Sequence, residues 1–238
     1  IGRIKREPSP LCAVKPETWI KPLPHGLYVA PGDFFIDPPR GSARAVVTHG
    51  HADHARLGNG RVLATAETLA IMRARYGEAA AQSMQALTYG EELRVGEVTV
   101  TLLPAGHVLG SAQVLLEHGG SRVVVSGDYK RRRDPTCPAF TPVPCDVFIT
   151  EATFGLPVFR HPPDTGEIAK LLHSVKTFPD RPHLVGVYGL GKCQRVICLL
   201  REAGYDAPLY LHGALESLCA LYESLGVALG DLRPVAGA

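Results

Sequence analysis

The stretch VVTHGHADH, residues 46–54, places three histidines and an aspartate within six residues, directly after a short apolar run. The apolar run reads as a buried strand, so the ionisable residues begin where that strand ends. Alternate side chains of an extended chain point to the same side, so His49 and His51 can bind one metal ion together. A helical turn after them would bring Asp53 and His54 toward a neighbouring site. The spacing therefore predicts a metal site at the end of a strand.

Three further apolar runs end in the same way, each at a residue that can bind a metal ion or move a proton. VTVTLLPAG leads to His107, RVVVSG leads to Asp128, and DVFIT leads to Glu151. Strands of one sheet tend to gather such ends along one rim. Imidazole and carboxylate donors without thiolates suit a catalytic zinc better than a structural one. The sequence thus predicts a catalytic metal centre at one rim of a sheet.

Composition restricts the class of protein. The 238 residues are 45% hydrophobic and 20% charged, which is ordinary for a globular chain of one large or two small domains. No apolar run approaches the roughly 20 residues of a membrane span. The lack of such a run predicts no membrane association, and six cysteines without a CxxC pattern predict a reducing, cytoplasmic environment. The net charge of +2 does not by itself indicate nucleic-acid binding, but YKRRR (residues 129–133) is a concentrated basic block.

The order of predicted elements changes along the chain. The first 40 residues read as edge strands and turns, and the next part as strands with one helix. We expect a strand at 43–48, a Thr-capped helix at 65–82, hairpins at 92–105 and 111–128, and a strand at 145–153. Residues 183–226 then alternate strand, helix, strand, helix, which predicts parallel strands with crossover helices. A boundary between the two parts is expected near Gly155.

Together these residues resemble the metallo-β-lactamase superfamily. Its HxHxDH signature matches residues 49–54, and its next histidine and its bridging aspartate match His107 and Asp128. Within the superfamily, ITEATFG (149–155), with Glu151 in the acidic position, and the α/β segment after it resemble the β-CASP nucleases. GDYKRRRDPTC, CDVFITEATFGLPVFRHP, YGLGKCQRV and YLHGAL are similar to the bacterial ligase-associated DNA exonucleases, a group also described as mRNA 3′-end processing factors.

The resemblance runs from about Gly26 onward and implies an α/β fold. It predicts the N-terminal part of a metallo-β-lactamase αββα sandwich in residues 1–155. It predicts an inserted α/β segment of the β-CASP kind in residues 156–238. The family supplies a further ligand histidine after that segment, and we expect it beyond Ala238, in a chain that is incomplete at its C-terminus. His212 is the nearest internal candidate, and we expect it to be an ordinary residue at the end of a strand.

The resemblance also implies a ligand set and a reaction. It implies two zinc ions, with Mn2+ as a possible replacement. One ion is assigned to His49, His51 and His107. The other is assigned to Asp53, His54 and Asp128, with Asp128 bridging the two. Such a pair neutralises charge on a phosphodiester and lowers the pKa of water. Asp53 would orient the attacking water, and Glu151 would hold a ligand histidine or pass a proton to the leaving oxygen. The expected reaction is hydrolysis of DNA from an end, in DNA repair, alongside an ATP-dependent DNA ligase and a helicase.

Two basic groups are candidates for binding nucleic-acid phosphates. The first begins two residues after Asp128 and comprises Lys130, Arg131, Arg132 and Arg133. The second, Lys192 and Arg195, opens a helix after a glycine-rich approach, which is a natural phosphate site. A solvated charge run remains the alternative for the first group, and a purely structural role for the second. GVYGLGKC also fits the start of a P-loop, but Cys193 replaces the Ser or Thr that binds Mg2+, which argues against an NTPase.

Three other functions remain open from the sequence. The first is an RNA-processing β-CASP ribonuclease. The second is a small-molecule metallohydrolase such as a thioesterase of the glyoxalase II type, against which the basic block and the α/β segment argue. The third is a non-catalytic nucleic-acid-binding relative, which the intact upstream ligand set argues against.

Overall fold

The structure is a computed structural model that describes residues 13–236. Its α-helices, in chain order, are α1 (Pro16–Trp19), α2 (Ala66–Tyr76), α3 (Asp164–Thr177), α4 (Lys192–Glu202) and α5 (Gly213–Ser224). Its strands are β1 (Ile20–Leu23), β2 (Gly26–Val29), β3 (Phe34–Ile36), β4 (Arg44–Val46), β5 (Arg61–Ala64), β6 (Ser83–Ala86), β7 (Glu92–Val95), β8 (Val98–Pro104), β9 (Ala112–His118), β10 (Ser121–Val125), β11 (Val147–Ile149), β12 (Leu209–Leu211) and β13 (Leu232–Pro234).

The strands form two large sheets and one small one. The first sheet runs in sequence order from β1 to β6, antiparallel up to β3 and parallel from β3 onward. The second has the order β11-β10-β9-β8-β7, with β11 parallel to β10 and the other pairs antiparallel. The third is the parallel pair β12 and β13. The predicted mixed α/β architecture is therefore confirmed.

Strands β4 and β5 are buried on both faces. Val46 and Leu63 point into the core between the two large sheets. Ala45 and Val62 point the other way, into a cluster with Leu69 of α2. This follows from the alternation of side chains along a strand, and it explains why the run before the histidines is continuously apolar. The first sheet is thus sandwiched between the second sheet and α2.

Most of the predicted elements in this part are present. The hairpin between β9 and β10 turns at Gly119 and Gly120, whose φ values of 54° and 83° suit the tight hairpin turn that was predicted. Thr65 caps α2 by accepting a hydrogen bond from the Thr68 backbone N–H. The helix ends at Tyr76, six residues before the predicted end, because Gly77 leaves the helical region with φ 58°.

The α/β segment differs from the prediction at its start. The strand expected at the start of residues 183–226 is wrong: residues 183–188 pair with no other strand among residues 13–236, and Leu184 is 96% exposed. An apolar run predicts burial, but a strand also needs a neighbour for its backbone groups. Helix α3 was not predicted. The following helix, strand and helix are confirmed as α4, β12 and α5, and Gly204 follows the end of α4 with φ 82°.

The α/β segment packs against the first part of the chain. Ile71 of α2 and Leu109 join a buried cluster with Leu190, Ile197 and Tyr222. Residues 150–163 contain neither helix nor strand, and the boundary near Gly155 stays a prediction. Among residues 13–236, no helix combines the length and the apolar character needed to cross a membrane.

Candidate metal centre

His49 and His51 lie just beyond β4. His49 is fully buried, and its Nε2 lies 3.0 Å from Nδ1 of His51. Gly50 between them allows close contact with α2, because a Cβ there would lie only 2.6 Å from Cγ2 of Ile71. The chain then makes a single helical turn, in which the Ala55 N–H donates to the His51 carbonyl, instead of a longer helix.

His107 and Asp128 arrive from the ends of β8 and β10. Nε2 of His107 lies 3.2 Å from Nδ1 of His51. Oδ2 of Asp128 lies 3.6 Å from Nε2 of His107 and 3.9 Å from Nε2 of His49. One donor atom from each of the four residues falls within 4.8 Å of the others. The structure therefore brings four of the predicted ligands together at one rim.

The spacing and chemistry of these four donors fit a divalent metal ion. Four ligands about 2.0–2.1 Å from zinc in tetrahedral directions lie about 3.3 Å from one another. Four of the six separations are 3.0 to 3.9 Å, close to that value, and all six are within 4.8 Å. Three imidazoles and a carboxylate with no thiolate form a donor set typical of a catalytic site. The four residues could therefore hold a metal ion without large rearrangement.

A network behind the histidines sets their tautomers, and it contains a residue that the sequence analysis missed. Asp37 accepts hydrogen bonds from the Thr48 hydroxyl at 2.6 Å and from the Thr48 N–H at 2.8 Å. Because the one hydroxyl hydrogen points to Asp37, Thr48 Oγ1 accepts from Nδ1 of His49, 3.0 Å away. Nε2 of His49 is thereby left with its lone pair toward the other donors.

His51 and His54 are oriented in a similar way. Nε2–H of His51 donates to the Leu190 carbonyl at 3.3 Å, which leaves Nδ1 facing the group of four. Nδ1–H of His54 donates to Asp37 at 2.7 Å, which leaves Nε2 facing Oδ1 of Asp128 at 3.4 Å. Asp37 ends the apolar run DFFI, so the rule that picked out the other strand-end residues would have found it.

The protonation of the site follows from burial and from the carboxylates. Burial lowers the pKa of His49 well below its usual value, and it lowers the pKa of His107 to about 4. Burial also opposes charge on His54, but hydrogen bonds to Asp128 and Asp37 outweigh it and raise the His54 pKa to about 10. The hydrogen bond with His54 in turn lowers the pKa of Asp128. His49 and His107 are thus neutral at pH 7, as metal ligation requires.

Asp53 and Glu151 lie outside the group of four. The side chain of Asp53 is 71% exposed, and its Oδ2 lies 3.7 Å from Nε2 of His54. The Glu151 carboxylate accepts a hydrogen bond from the Thr153 backbone N–H at 2.8 Å. Within residues 13–236 it reaches none of the clustered histidines.

Four of the six predicted phosphate-binding residues are engaged within the protein. Lys130 contacts the buried carboxylate of Asp134 at 2.5 Å, and Arg133 forms a two-pronged pair with Glu202. Arg132 donates to the backbone carbonyls of residues 161 and 162. Arg195 pairs with Asp164 and lies 3.5 Å from Asp134.

The remaining two, Arg131 and Lys192, have exposed side chains without an ion pair in the described part of the chain. His212 is also separate from the metal group. It is the N-cap of α5, where its Nδ1 accepts a hydrogen bond from the Ala214 N–H.

No family model matches the chain. It is 36% identical over 222 residues to the probable DNA ligase of Opitutus terrae, a match that covers 90% of this chain and 21% of that protein. It is 32% identical over 149 residues to the endoribonuclease ysh1 of Emericella nidulans, covering 58% of this chain and 17% of the relative. It is 28% identical over 164 residues to cleavage and polyadenylation specificity factor 73 of Drosophila melanogaster, covering 65% and 24%. The chain thus spans less than a quarter of the length of each.

One solved structure has a similar fold. A protein of unknown function from Enterococcus faecalis aligns with a TM-score of 0.51 at 13% identity, over 82% of this chain and 52% of that one. At that identity the likeness concerns the fold alone. The predicted α/β fold of the metallo-β-lactamase kind is confirmed by the architecture and the relatives together. The HxHxDH motif, the clustered His and Asp donors and these relatives together support the β-CASP branch of the metallo-β-lactamase superfamily for this chain.

Proposed function

We propose that the chain carries the metal centre of a hydrolase that cleaves nucleic-acid phosphodiesters with two zinc ions. The observation that carries the proposal is the position of Asp128. Its Oδ2 faces His49 and His107, while its Oδ1 faces His54. A carboxylate placed between two sets of imidazoles can join two metal positions. Bound as a pair, zinc ions supply Lewis-acid stabilisation of the phosphodiester and activation of water.

The residues of the chain have separate tasks in this proposal. His49, His51 and His107 would hold one metal ion, and His54 with Asp128 would hold part of the other. Asp53 is exposed beside His54 and can close on the second position when substrate and metal are present. Glu151 follows the end of β11, and Asp128 follows the end of the parallel neighbour β10, so Glu151 can pass a proton to the leaving oxygen after a change of rotamer.

DNA is the substrate that we favour, with cleavage from an end and a role in repair. The relative matched over 90% of this chain is named a probable DNA ligase, which also makes a ligase the partner to test first. RNA is the second candidate, because several relatives are named endoribonucleases. Phosphate contacts are assigned first to Arg131 and Lys192, whose charges no carboxylate neutralises within residues 13–236. The other four basic residues stay candidates once the ion pairs around them open.

The experiment has a metal arm and an activity arm. Elemental analysis of the purified chain should find zinc, close to two per molecule when the second site is complete. Single- and double-stranded DNA and RNA, labelled at either end, are then incubated with the wild type, with His51→Ala/Asp53→Ala and with His25→Ala. His25 is an exposed histidine in the turn between β1 and β2, outside the metal group, so its variant is a matched control.

The outcomes separate the candidate functions. Cleavage by the wild type and by His25→Ala, but not by the double variant, is the expected result. Equal cleavage by all three proteins would place the active site elsewhere. Zinc binding with hydrolysis of a thioester and no cleavage of nucleic acid would favour the thioesterase alternative. Nucleic-acid binding with no cleavage and no metal would favour a non-catalytic role.

A further inference from the structure

Three aromatic rings stand together on the surface of the loop after β11. Phe154 is 60% exposed and Phe159 is 45% exposed, with their ring centroids 5.4 Å apart. The ring of His161 lies 5.0 Å from that of Phe154. These three residues are called the aromatic platform below. Clustered exposed apolar side chains are typical of binding surfaces, because leaving them in water is unfavourable.

The loop that carries the aromatic platform is held in place by its own contacts. Arg132 donates to the His161 carbonyl at 2.5 Å and to the Pro162 carbonyl at 2.8 Å. The Phe159 N–H donates to the Leu156 carbonyl at 3.1 Å. A surface that is already ordered loses less conformational entropy when it binds a ligand. The same contacts place the Arg132 guanidinium against the backbone of His161, one of the residues of the aromatic platform.

The charge around the aromatic platform favours a polyanion over an apolar protein partner. Arg132 lies against the loop, Arg131 precedes it in the chain, and Arg160 separates two of the three rings in the sequence. Within residues 13–236, neither Arg131 nor Arg160 forms an ion pair with a carboxylate. Aromatic rings interleaved with free cations are the usual surface for single-stranded nucleic acid.

The topology places this surface on the same rim as the metal group. Strands β10 and β11 run parallel in register, with Val125 opposite Ile149. Both therefore leave the sheet at one edge, one toward Asp128 and the other toward Phe154. Phe154 is five residues beyond Ile149, so its backbone lies within about 17 Å of that edge. A separation of about 17 Å is the upper limit and corresponds to about five nucleotides of stacked strand.

We propose that the aromatic platform stacks the bases of a single-stranded nucleic-acid end, while the neighbouring arginines bind its phosphates. The proposal rests on the proposed function, because it assigns a position to the strand that the metal centre would cut. A blunt duplex is a poorer ligand, since its bases stack on one another and do not offer free faces. The aromatic platform therefore selects single strands or frayed ends.

The test measures binding without cleavage. Fluorescent single strands of DNA and RNA with phosphorothioate linkages, which resist hydrolysis, are titrated with the metal-loaded protein. A strand of equal length and charge that lacks its bases, and a blunt duplex, are titrated in parallel. The proteins are the wild type, Phe154→Ala/Phe159→Ala, Phe154→Tyr, and Phe178→Ala. Phe178 is 46% exposed beyond the end of α3, so it is a matched control for loss of an exposed ring.

The double variant should bind the base-bearing strand at least about fivefold more weakly, the lower end of the effect of losing a base-stacking ring. Its affinity for the strand without bases should equal that of the wild type, because that strand has no faces to stack. Phe154→Tyr keeps a ring and should bind like the wild type, as should Phe178→Ala. Circular dichroism checks that each variant is folded.

Equal weakening toward both strands, no weakening, or no binding by the wild type would overturn the proposal. A wild type that self-associates through these rings, and a double variant that is monomeric, would overturn it in favour of contact between copies. Failure of the aromatic platform is distinguishable from failure of the proposed function. Base-independent binding with cleavage refutes only the first, and base-dependent binding without metal-dependent cleavage refutes only the second.

Discussion

Asp37 accepts three hydrogen bonds that all lead to the metal group. They come from the Thr48 N–H at 2.8 Å, the Thr48 hydroxyl at 2.6 Å and Nδ1–H of His54 at 2.7 Å. The last two share Oδ2. Replacing Asp37 with Asn keeps the shape and the oxygen that faces the Thr48 N–H, but turns Oδ2 into an amide donor. Asn also tolerates the φ of 43° at this position.

The expected effect falls on metal binding more than on folding. An amide NH2 cannot accept from Thr48 or from His54, so the Thr48 hydroxyl no longer fixes the tautomer of His49. Loss of such a supporting hydrogen bond typically weakens metal affinity 10- to 100-fold, about 1.4 to 2.7 kcal/mol. The hydrogen bond to the backbone survives, so the free energy of unfolding of the metal-free chain should fall by only about 1 kcal/mol.

Zinc affinity is measured by competition with a chromogenic chelator, and the free energy of unfolding by denaturant titration of the metal-free protein. Asp33→Asn is the matched control. Asp33 also has a positive φ, of 52°, but its contacts are with Tyr28 and Arg44 at the surface. Wild-type zinc affinity in Asp37→Asn, or an equal loss in Asp33→Asn, would show that the hydrogen bonds of Asp37 do not support the metal group.

Three further predictions concern packing, an ion pair and the metal. Gly50→Ala should lower the free energy of unfolding by about 1–3 kcal/mol, because its Cβ would overlap Ile71. Gly166→Ala on α3 brings its Cβ against nothing and should raise the free energy of unfolding. Denaturant titration of both variants measures the two changes, which should have opposite signs. Asp134→Ala should lower the free energy of unfolding by about 2–4 kcal/mol in the same assay, since it leaves the half-buried Arg195 with one partner fewer. An unchanged free energy of unfolding would mean that Asp134 adds nothing to packing of the α/β segment. Removing metal with a chelator should lower the unfolding temperature. Zinc at about 100 times its Kd should restore about 2.7 kcal/mol of the free energy of unfolding. An unchanged melting curve after chelation would contradict a bound metal in the purified protein.

Local chemistry explains what could be predicted. The hairpin at Gly119 and Gly120 follows from residues that adopt positive φ, and the strand before His49 follows from its apolar run. The alternation of side chains along an extended chain already puts His49 and His51 on one side. These features depend on neighbours in the chain, so a pattern of a few residues is enough to indicate them.

Residues 183–188 show where such patterns fail. Its apolar residues predict a strand, yet Leu184 and Tyr188 are exposed and no partner strand lies beside them within residues 13–236. Pairing is a contact between distant segments, and composition does not determine which segment arrives. Helix α3, which packs on α4, was missed although Ile168, Leu171, Leu172 and Val175 recur at helical spacing.

The chemistry of the centre can be read from the chain: HGHADH, His107 and Asp128 supply imidazoles and carboxylates at the ends of apolar strands. The directions in which those groups face, and the residues behind them, depend on the folded arrangement. Asp37 reaches His54 from another strand end, and the Leu190 carbonyl orients His51 across 139 residues of chain. The reason is physical: donor identity is a property of a residue, whereas hydrogen-bond direction, burial and the pKa shifts that follow are set by segments that folding brings together.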